Sequence, residues 1–531
     1  MPFSLDPLLA MILPQAAHRT IFLGGIVLLA AGIPTSHFLM SVGGLALSAN
    51  WLAEGGYVRK FRTLTVHRAA LAFLAIYLIH VLGMIYTADW AFGMKDLRIK
   101  LPFLALPVIS GTSEGLRPKE YRMVLMVFVA AVIFGSLRSL WELLTAQVTD
   151  VRQISVFISH IRFSLSVCLA IFILGYSLHQ DWYPARAVRG LQFLLLLWLG
   201  VFLFLLQSFT GLMVMGATLV LLLLFYGWRA ESLRRRMLLT GLGLLLPLLT
   251  VIYVYSLVRV VHPDREVDFS ALEDRTALGN LYHHDTLNRQ TVNGYPIWIY
   301  LAEEEMKEAW AERSAMAFDG KDNKGHDLRD ILIRYLSSKG LRKDAAGLAQ
   351  LSDEEIRLIE NGVGNARCGG YNVIRSRICK ILWEYETYKW TGDPSGHSVL
   401  MRWEYWNTAW GIIRGHPVLG VGTGDLKQAF ARQYELMGST LDPKWRLRSH
   451  NQYLAVFAAF GLLGLLIFLG GLFLPPRWRR PEMPFLFASF FIIALLSMVS
   501  EDTMESQAGA TFIAFFYSYL LLLPAQHERE T

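Results

Sequence analysis

RSHNQYLAVFAAFGLLGLLIFL, residues 448–469, is the stretch on which the reading of this chain turns. It opens with Arg448 and His450 and then becomes almost wholly apolar, so a long polar segment ends here and plunges back into a membrane. About 20 apolar residues are enough to cross a bilayer as a helix. A titratable imidazole at that boundary is anchored on a helix while facing water, a placement suited to proton transfer on a membrane-borne substrate.

Working outward, the rest of the chain has the same character. Of 531 residues, 54% are hydrophobic and only 18% are charged, whereas soluble domains carry roughly 25% charged residues. The formal charge of +7 does not indicate nucleic acid, because the basic residues lie beside apolar runs and so bear on topology. About twelve runs qualify as candidate spans. They centre on 20–34, 36–53, 69–87, 97–112, 120–144, 161–179, 189–206, 209–227, 237–258, 450–474, 483–500 and 506–524. The first, second and fourth are weak, the fourth because Arg98 and Lys100 open it and Pro102 and Pro107 interrupt it. Ile21 to Ile33 lacks a small-residue cleavage site, so no cleavable signal peptide is expected. The chain shows no internal repeat and no low-complexity tract.

Basic residues orient the spans. Alternate connections hold Arg59, Lys60, Arg62 and Arg68, then Arg117, Lys119 and Arg122, then Arg186 and Arg189, then Arg229 and Arg234 to Arg236, and finally Arg477, Arg479 and Arg480. The positive-inside rule assigns these connections to the cytoplasm. Both termini then fall inside and the long segment 259–449 outside, since long domains translocate largely regardless of charge. The expected architecture is all-α: a polytopic membrane bundle formed by residues 1–258 and 450–531, with 259–449 as a mostly helical domain on the outer side. Within that segment, 300–317, 327–338, 353–361, 372–390 and 398–414 have helical patterning. Ser352 followed by Asp353, Glu354 and Glu355 is a helix start with acids in its first turn. If the segment is extracytoplasmic, Cys368 and Cys379 could pair; otherwise they are two free buried thiols.

Two motifs carry a resemblance. HPVLGVGTGDLKQAF (416–430), followed by His450-Asn451, nine residues and Gly461-x-x-Gly464, resembles the O-antigen ligase and polymerase superfamily. In that family the H-N-x9-G-x-x-G pattern ends the large periplasmic loop and begins the next membrane helix. The resemblance implies a metal-independent inverting glycosyltransferase without a cofactor, acting at the outer face of the bacterial inner membrane. Its implied partners are an undecaprenyl-diphosphate-linked glycan, a lipid A-core or other glycan acceptor, and the lipid bilayer, with no nucleic acid. Ligation of O-antigen is the first expectation, with polymerase and protein O-oligosaccharyltransferase as close alternatives.

The residues themselves fit such chemistry. An acceptor hydroxyl is a poor nucleophile, and His450 is the candidate base that removes its proton. Arginine suits the departing diphosphate because it stays charged and donates several planar hydrogen bonds. Arg402, in SVLMRWEYW, resembles the family's periplasmic-loop arginine, though stacking on Trp403 or Trp406 is an alternative. Arg162, in SHIRFSLSV, lies at the outer end of the sixth span and is either functional or snorkelling to the interface. The chain departs from the family before its eighth span, where many members place an arginine and this sequence has Gln207-Ser208-Phe209-Thr210-Gly211. Arg162 is the candidate substitute.

Substrate contacts are further expected from Arg98, Lys100, Gly422, Gly424, Arg446, Arg448 and Asn451. The glycines present backbone amides for a phosphate or sugar, or else simply form a turn. The segment 420–425 lacks a Gly-Lys-Ser/Thr ending and is not a nucleotide loop. His283-His284-Asp285 has no further ligand in register, so no metal is expected. Gly461 and Gly464 have a spacing that lets helices approach closely. Glu501, Asp502 and Glu505 read as an exposed outer turn, or as partners for His450 or an arginine. A transporter or flippase is the rival from another class, but it would place polar residues at mid-membrane rather than at one face. A binding or sensing protein is a further alternative.

Overall fold

The computed structural model describes residues 14–145, 154–261, 268–369 and 373–526. The two chain ends, expected on the cytoplasmic side, lie outside the described residues.

Apolar composition makes the helices, and glycine, proline and capping residues end them. In chain order the first eleven are α1 (Gln15–Thr35), α2 (His37–Ala53), α3 (Tyr57–Val66), α4 (Arg68–Gly83), α5 (Trp90–Lys100), α6 (Pro102–Thr112), α7 (Pro118–Thr145), α8 (His160–His179), α9 (Arg186–Leu205), α10 (Phe209–Trp228) and α11 (Leu233–Val261). Next come α12 (Glu303–Ala311), α13 (Leu328–Ser338), α14 (Ala345–Ala349), α15 (Asp353–Glu360) and α16 (Val373–Thr391). The chain continues through α17 (Ser398–Gly415), α18 (Leu426–Leu436), α19 (Gln452–Phe473), α20 (Pro475–Trp478), α21 (Pro484–Ser500) and α22 (Gln507–Tyr517).

The protein is a polytopic membrane helical bundle. Among the described residues seven helices are long and apolar enough to cross a membrane: α1, α7, α8, α9, α10, α11 and the helix that starts at Gln452. An eighth span arises if α3 and α4, bent by 94°, count as one, and α21 and the helix from Gln507 are shorter apolar helices. The expected dozen spans therefore resolves into full-length crossings and shorter or broken pieces. The fourth breaks at Leu101, because Pro102 starts α6 without a backbone N–H to continue α5. Leu194, Val201 and Leu219 stand exposed along α9 and α10, a surface that suits lipid and not water.

The chain divides into two compact units, Met1–Thr240 with Met401–Thr531, and Gly241–Leu400. The second unit has its own core, in which Trp310, Leu328, Leu332, Tyr335, Leu336 and Ile359 are buried together. Its helices follow the patterned runs, with a two-residue hairpin (Thr291–Val292 with Tyr295–Pro296) added. At the start of α15, Ser352 accepts from the Glu355 amide and the Glu355 side chain accepts from the Ser352 amide, a reciprocal cap that satisfies two helix-end donors. Cys368 and Cys379 are joined in a disulfide, not free. It sits beside Leu257 and Val261.

In the first unit the two family-like motifs form one piece of backbone. At Gly461, inside α19, φ is 62° and ψ is −165°, a region essentially open only to glycine. The helix breaks there and accepts the 417–422 turn as a clasp. Leu462 and Leu463 amides donate to the Pro417 and Val418 carbonyls, and Val421 and Gly422 amides donate to Ala458 and Ala459. A Cβ on Gly461 would lie 2.1 Å from the Val418 carbonyl carbon, and one on Gly420 would lie 2.3 Å from that of Ala459. Helix–helix approach was the expectation for Gly461; a broken helix gripped by the 417–422 turn is what the structure shows.

Gly461→Ala should therefore cost at least about 3 kcal/mol, whereas Gly470→Ala, whose Cβ would meet only Leu474 at 3.6 Å, should be tolerated. Thermal unfolding of the two variants in detergent checks this, and equal stability would contradict the clasp.

Candidate functional site

The entry of α19 and the turn after α21 are sewn together by three consecutive side chains. Asn451 caps α19 by accepting from the Leu454 amide and donates from Nδ2 to the Val499 carbonyl at 3.0 Å. Gln452 donates to Glu505 at 3.2 Å and accepts from the Met504 amide at 2.8 Å. Just before them His450 places Nδ1 3.4 Å from a Glu501 carboxylate oxygen and 3.9 Å from Asp502. His450 has φ of 45°, uncommon for a residue other than glycine. Ser449 helps hold that bend by bonding to the Asn451 backbone, and the Tyr405 ring stacks on the imidazole at 5.5 Å.

Around this imidazole the chain gathers cations from distant elements. Arg402, on α17, donates to Glu501 at 3.0 Å and to the Ser500 carbonyl. Arg162, in the first turn of α8, lies 3.7 Å from the other Glu501 oxygen. Arg448 pairs with Glu505 at 2.9 Å and approaches Asp502 at 3.6 Å. Lys100 reaches Glu505 at 3.0 Å and also pairs with Asp96. Glu501, Asp502 and Glu505 are thus not an exposed turn. They are counter-ions, Glu501 buried and Asp502 and Glu505 largely enclosed, because four cations at the end of an apolar bundle require opposite charge within contact.

The acids respond differently to this setting. Burial by itself would raise the Glu501 carboxyl, but the hydrogen bond to His450 and the charges of Arg402 and Arg162 hold it below the ordinary glutamate range. Burial opposes Glu505 as well, and Lys100 and Arg448 bring it well below that range. Asp502 is pushed up by burial despite Arg448.

Accessibility sorts the expected substrate contacts. The side chains of Arg402, His450 and Arg448 are 28%, 29% and 26% exposed, so these three can meet a ligand. Arg162 is more enclosed, at 14%. Lys100 is wholly buried and acts on Glu505 instead of a ligand. Arg98 stands exposed on α5 and makes none of these ion pairs. Arg446 donates to the Leu441 and Ser439 carbonyls and so fixes its own turn. The Gly422 amide is taken by Ala459 and the Gly424 amide by Thr87 Oγ1, leaving neither for a phosphate. Asn451 is occupied in capping α19. The turn where the family's arginine is expected is tied to α8, since Ser208 donates to Ser164 at 3.0 Å, two residues from Arg162.

His283-His284-Asp285 contributes to the fold, with His284 accepting from the Tyr300 amide. Among the described residues His450, Glu501 and Asp502 bring three donor atoms within 4.8 Å of one another, as a metal site would. Arg402 and Arg162 on Glu501 and Arg448 on Asp502 surround that group with positive charge, which suits an anion and opposes a divalent cation.

Fold and site define an integral membrane protein with a histidine, arginines and paired carboxylates at the end of its bundle. Residues 365–469 match the family model for O-antigen ligase. This stretch holds Arg402, the 416–424 clasp, Arg448, His450 and the glycine pair, and the match supports a membrane glycan transferase of the O-antigen ligase superfamily. No curated protein matches the chain.

Glu505→Gln should destabilise the protein by about 3 kcal/mol at neutral pH, because it leaves Lys100 and Arg448 short of charge. In the wild type the Glu505 contribution is complete above pH 4.5, the unfolded value, and is lost as pH falls through the lower folded value. The variant should lack that acid-dependent part. Thermal unfolding against pH in detergent measures both, and a variant as stable as wild type at neutral pH would contradict the pairing.

Proposed function

We propose that this protein transfers a glycan from undecaprenyl diphosphate to an acceptor hydroxyl at the periplasmic face of the bacterial inner membrane, in the manner of O-antigen ligation to lipid A-core. The observation that carries the reading is the convergence of His450 with Arg402, Arg448 and Arg162 within one partly open cluster. Placement outside the cytoplasm is supported by the alternation of basic connections. The Cys368–Cys379 disulfide also suits an oxidising compartment.

In this mechanism the acceptor oxygen forms a bond to the anomeric carbon from the side opposite the leaving group, which inverts it. The bond from that carbon to the diphosphate oxygen breaks, and undecaprenyl diphosphate departs with the electron pair. His450 Nε2 takes the hydroxyl proton, since Nδ1 faces Glu501 and carries the ring hydrogen toward that carboxylate. Arg402 and Arg448 meet the developing charge on the diphosphate, and Arg162 stands in for the arginine that the 207–211 turn lacks. The chemistry requires no metal, because guanidiniums fill the electrophilic role.

Purified protein supplied with lipid-linked glycan and separate acceptors tests this. His450→Ala should lower kcat by about 100- to 10,000-fold and Arg402→Ala by about 100-fold, with membrane insertion intact. Chelator-treated enzyme should keep its activity. Undiminished transfer by the histidine variant would remove His450 from the mechanism, and loss restored by a divalent ion would refute the metal-free step. Product on a lipid-linked repeat rather than on lipid A-core would make the protein a polymerase.

A further inference from the structure

We infer that Glu501 is a displaceable counter-ion: it holds Arg402 and Arg162 until an anionic diphosphate takes those guanidiniums, and is then left to orient His450 alone. The inference rests on the transfer reaction proposed above and assigns Glu501 as a positioning residue, since it never touches the reacting atoms.

One carboxylate here serves three partners. Its Oε1 accepts from Arg402 at 3.0 Å, a good hydrogen bond, whereas Oε2 is shared between His450 at 3.4 Å and Arg162 at 3.7 Å. Both contacts at Oε2 exceed the usual hydrogen-bond distance, so neither partner is well held. Among the described residues the buried Arg162 Nε also has no hydrogen-bond acceptor. The Arg162 guanidinium therefore has donor capacity that this shared carboxylate does not fill. A diphosphate brings several anionic oxygens in a geometry that matches arginine forks. As Arg402, the more open of the two, and Arg162 turn to it, the competition for Glu501 falls and Oε2, released by Arg162, can close on Nδ1. Asp502, the other acid near His450, stands farther from Nδ1, at 3.9 Å. Donor binding and alignment of the base are in this way coupled through one side chain.

Kinetics of full-length Glu501→Gln with undecaprenyl-diphosphate glycan test the coupling. Removing the competing charge should lower the donor KM about fivefold, while loss of the orienting contact should lower kcat about 10- to 100-fold. Glu501→Asp, which keeps the charge on a shorter side chain, should fall between wild type and the Gln variant in both parameters. A purely structural Glu501 would give less active protein with donor KM unchanged or raised, and that result overturns the inference. If the Gln variant does not accumulate in membranes, the Asp variant decides: a donor KM at or above wild type overturns it. Wild-type protein without any transfer would remove the reaction itself, whereas an active wild type with no fall in KM would remove this inference alone.

Discussion

Positive charge at the end of an apolar helix bundle must be matched by negative charge in contact, and in this protein the 501–505 turn supplies most of it. Glu501 pairs with Arg402 and Arg162, Asp502 approaches Arg448, and Glu505 lies between Lys100 and Arg448. Those cations come from α5, α8, α17 and the entry of α19. The turn therefore fixes where four separate elements end relative to one another. Without it the same cations would face hydrocarbon or each other, at a cost of several kcal/mol per unpaired ion.

A second constraint sets the height of His450. Because α19 is broken at Gly461 and gripped by 417–422, its first segment is positioned by backbone hydrogen bonds as well as by side-chain packing. The Gly-rich run and the glycine pair that follows His450 are thus two halves of one clasp. Thr423 extends it by donating to the His80 carbonyl at 2.6 Å. The Asp425 carboxylate accepts from the Ala88 and Asp89 amides. The glycines serve close backbone approach, which explains why their amides are not offered to a ligand.

Much of this was legible in the sequence where the signal is local. Apolar runs at 120–144, 161–179, 189–206 and 209–227 correspond to α7 to α10 within a few residues, and the Ser352 helix start became a reciprocal cap. The pairing of Arg402, Arg162 and His450 through one carboxylate was not legible. Their sequence separations from Glu501 run from 51 to hundreds of residues, and no periodicity reports such contacts. Three acids between two apolar runs were the available hint, since unpaired carboxylates are costly there as well. The break at Gly461 was hidden for another reason: a glycine inside an apolar run signals small size before it signals a positive φ.

The proposed transfer requires the diphosphate to lie among Arg402, Arg448 and Arg162 with the sugar facing His450. A high-resolution structure of the full-length protein with undecaprenyl diphosphate bound measures that directly. Phosphate oxygens within hydrogen-bond distance of Arg402 and Arg448, with Glu501 shifted from Arg402 toward His450, are the expected result. Phosphates held elsewhere, against Arg98 or the 420–424 turn, with the Arg402–Glu501 pair undisturbed, would contradict it.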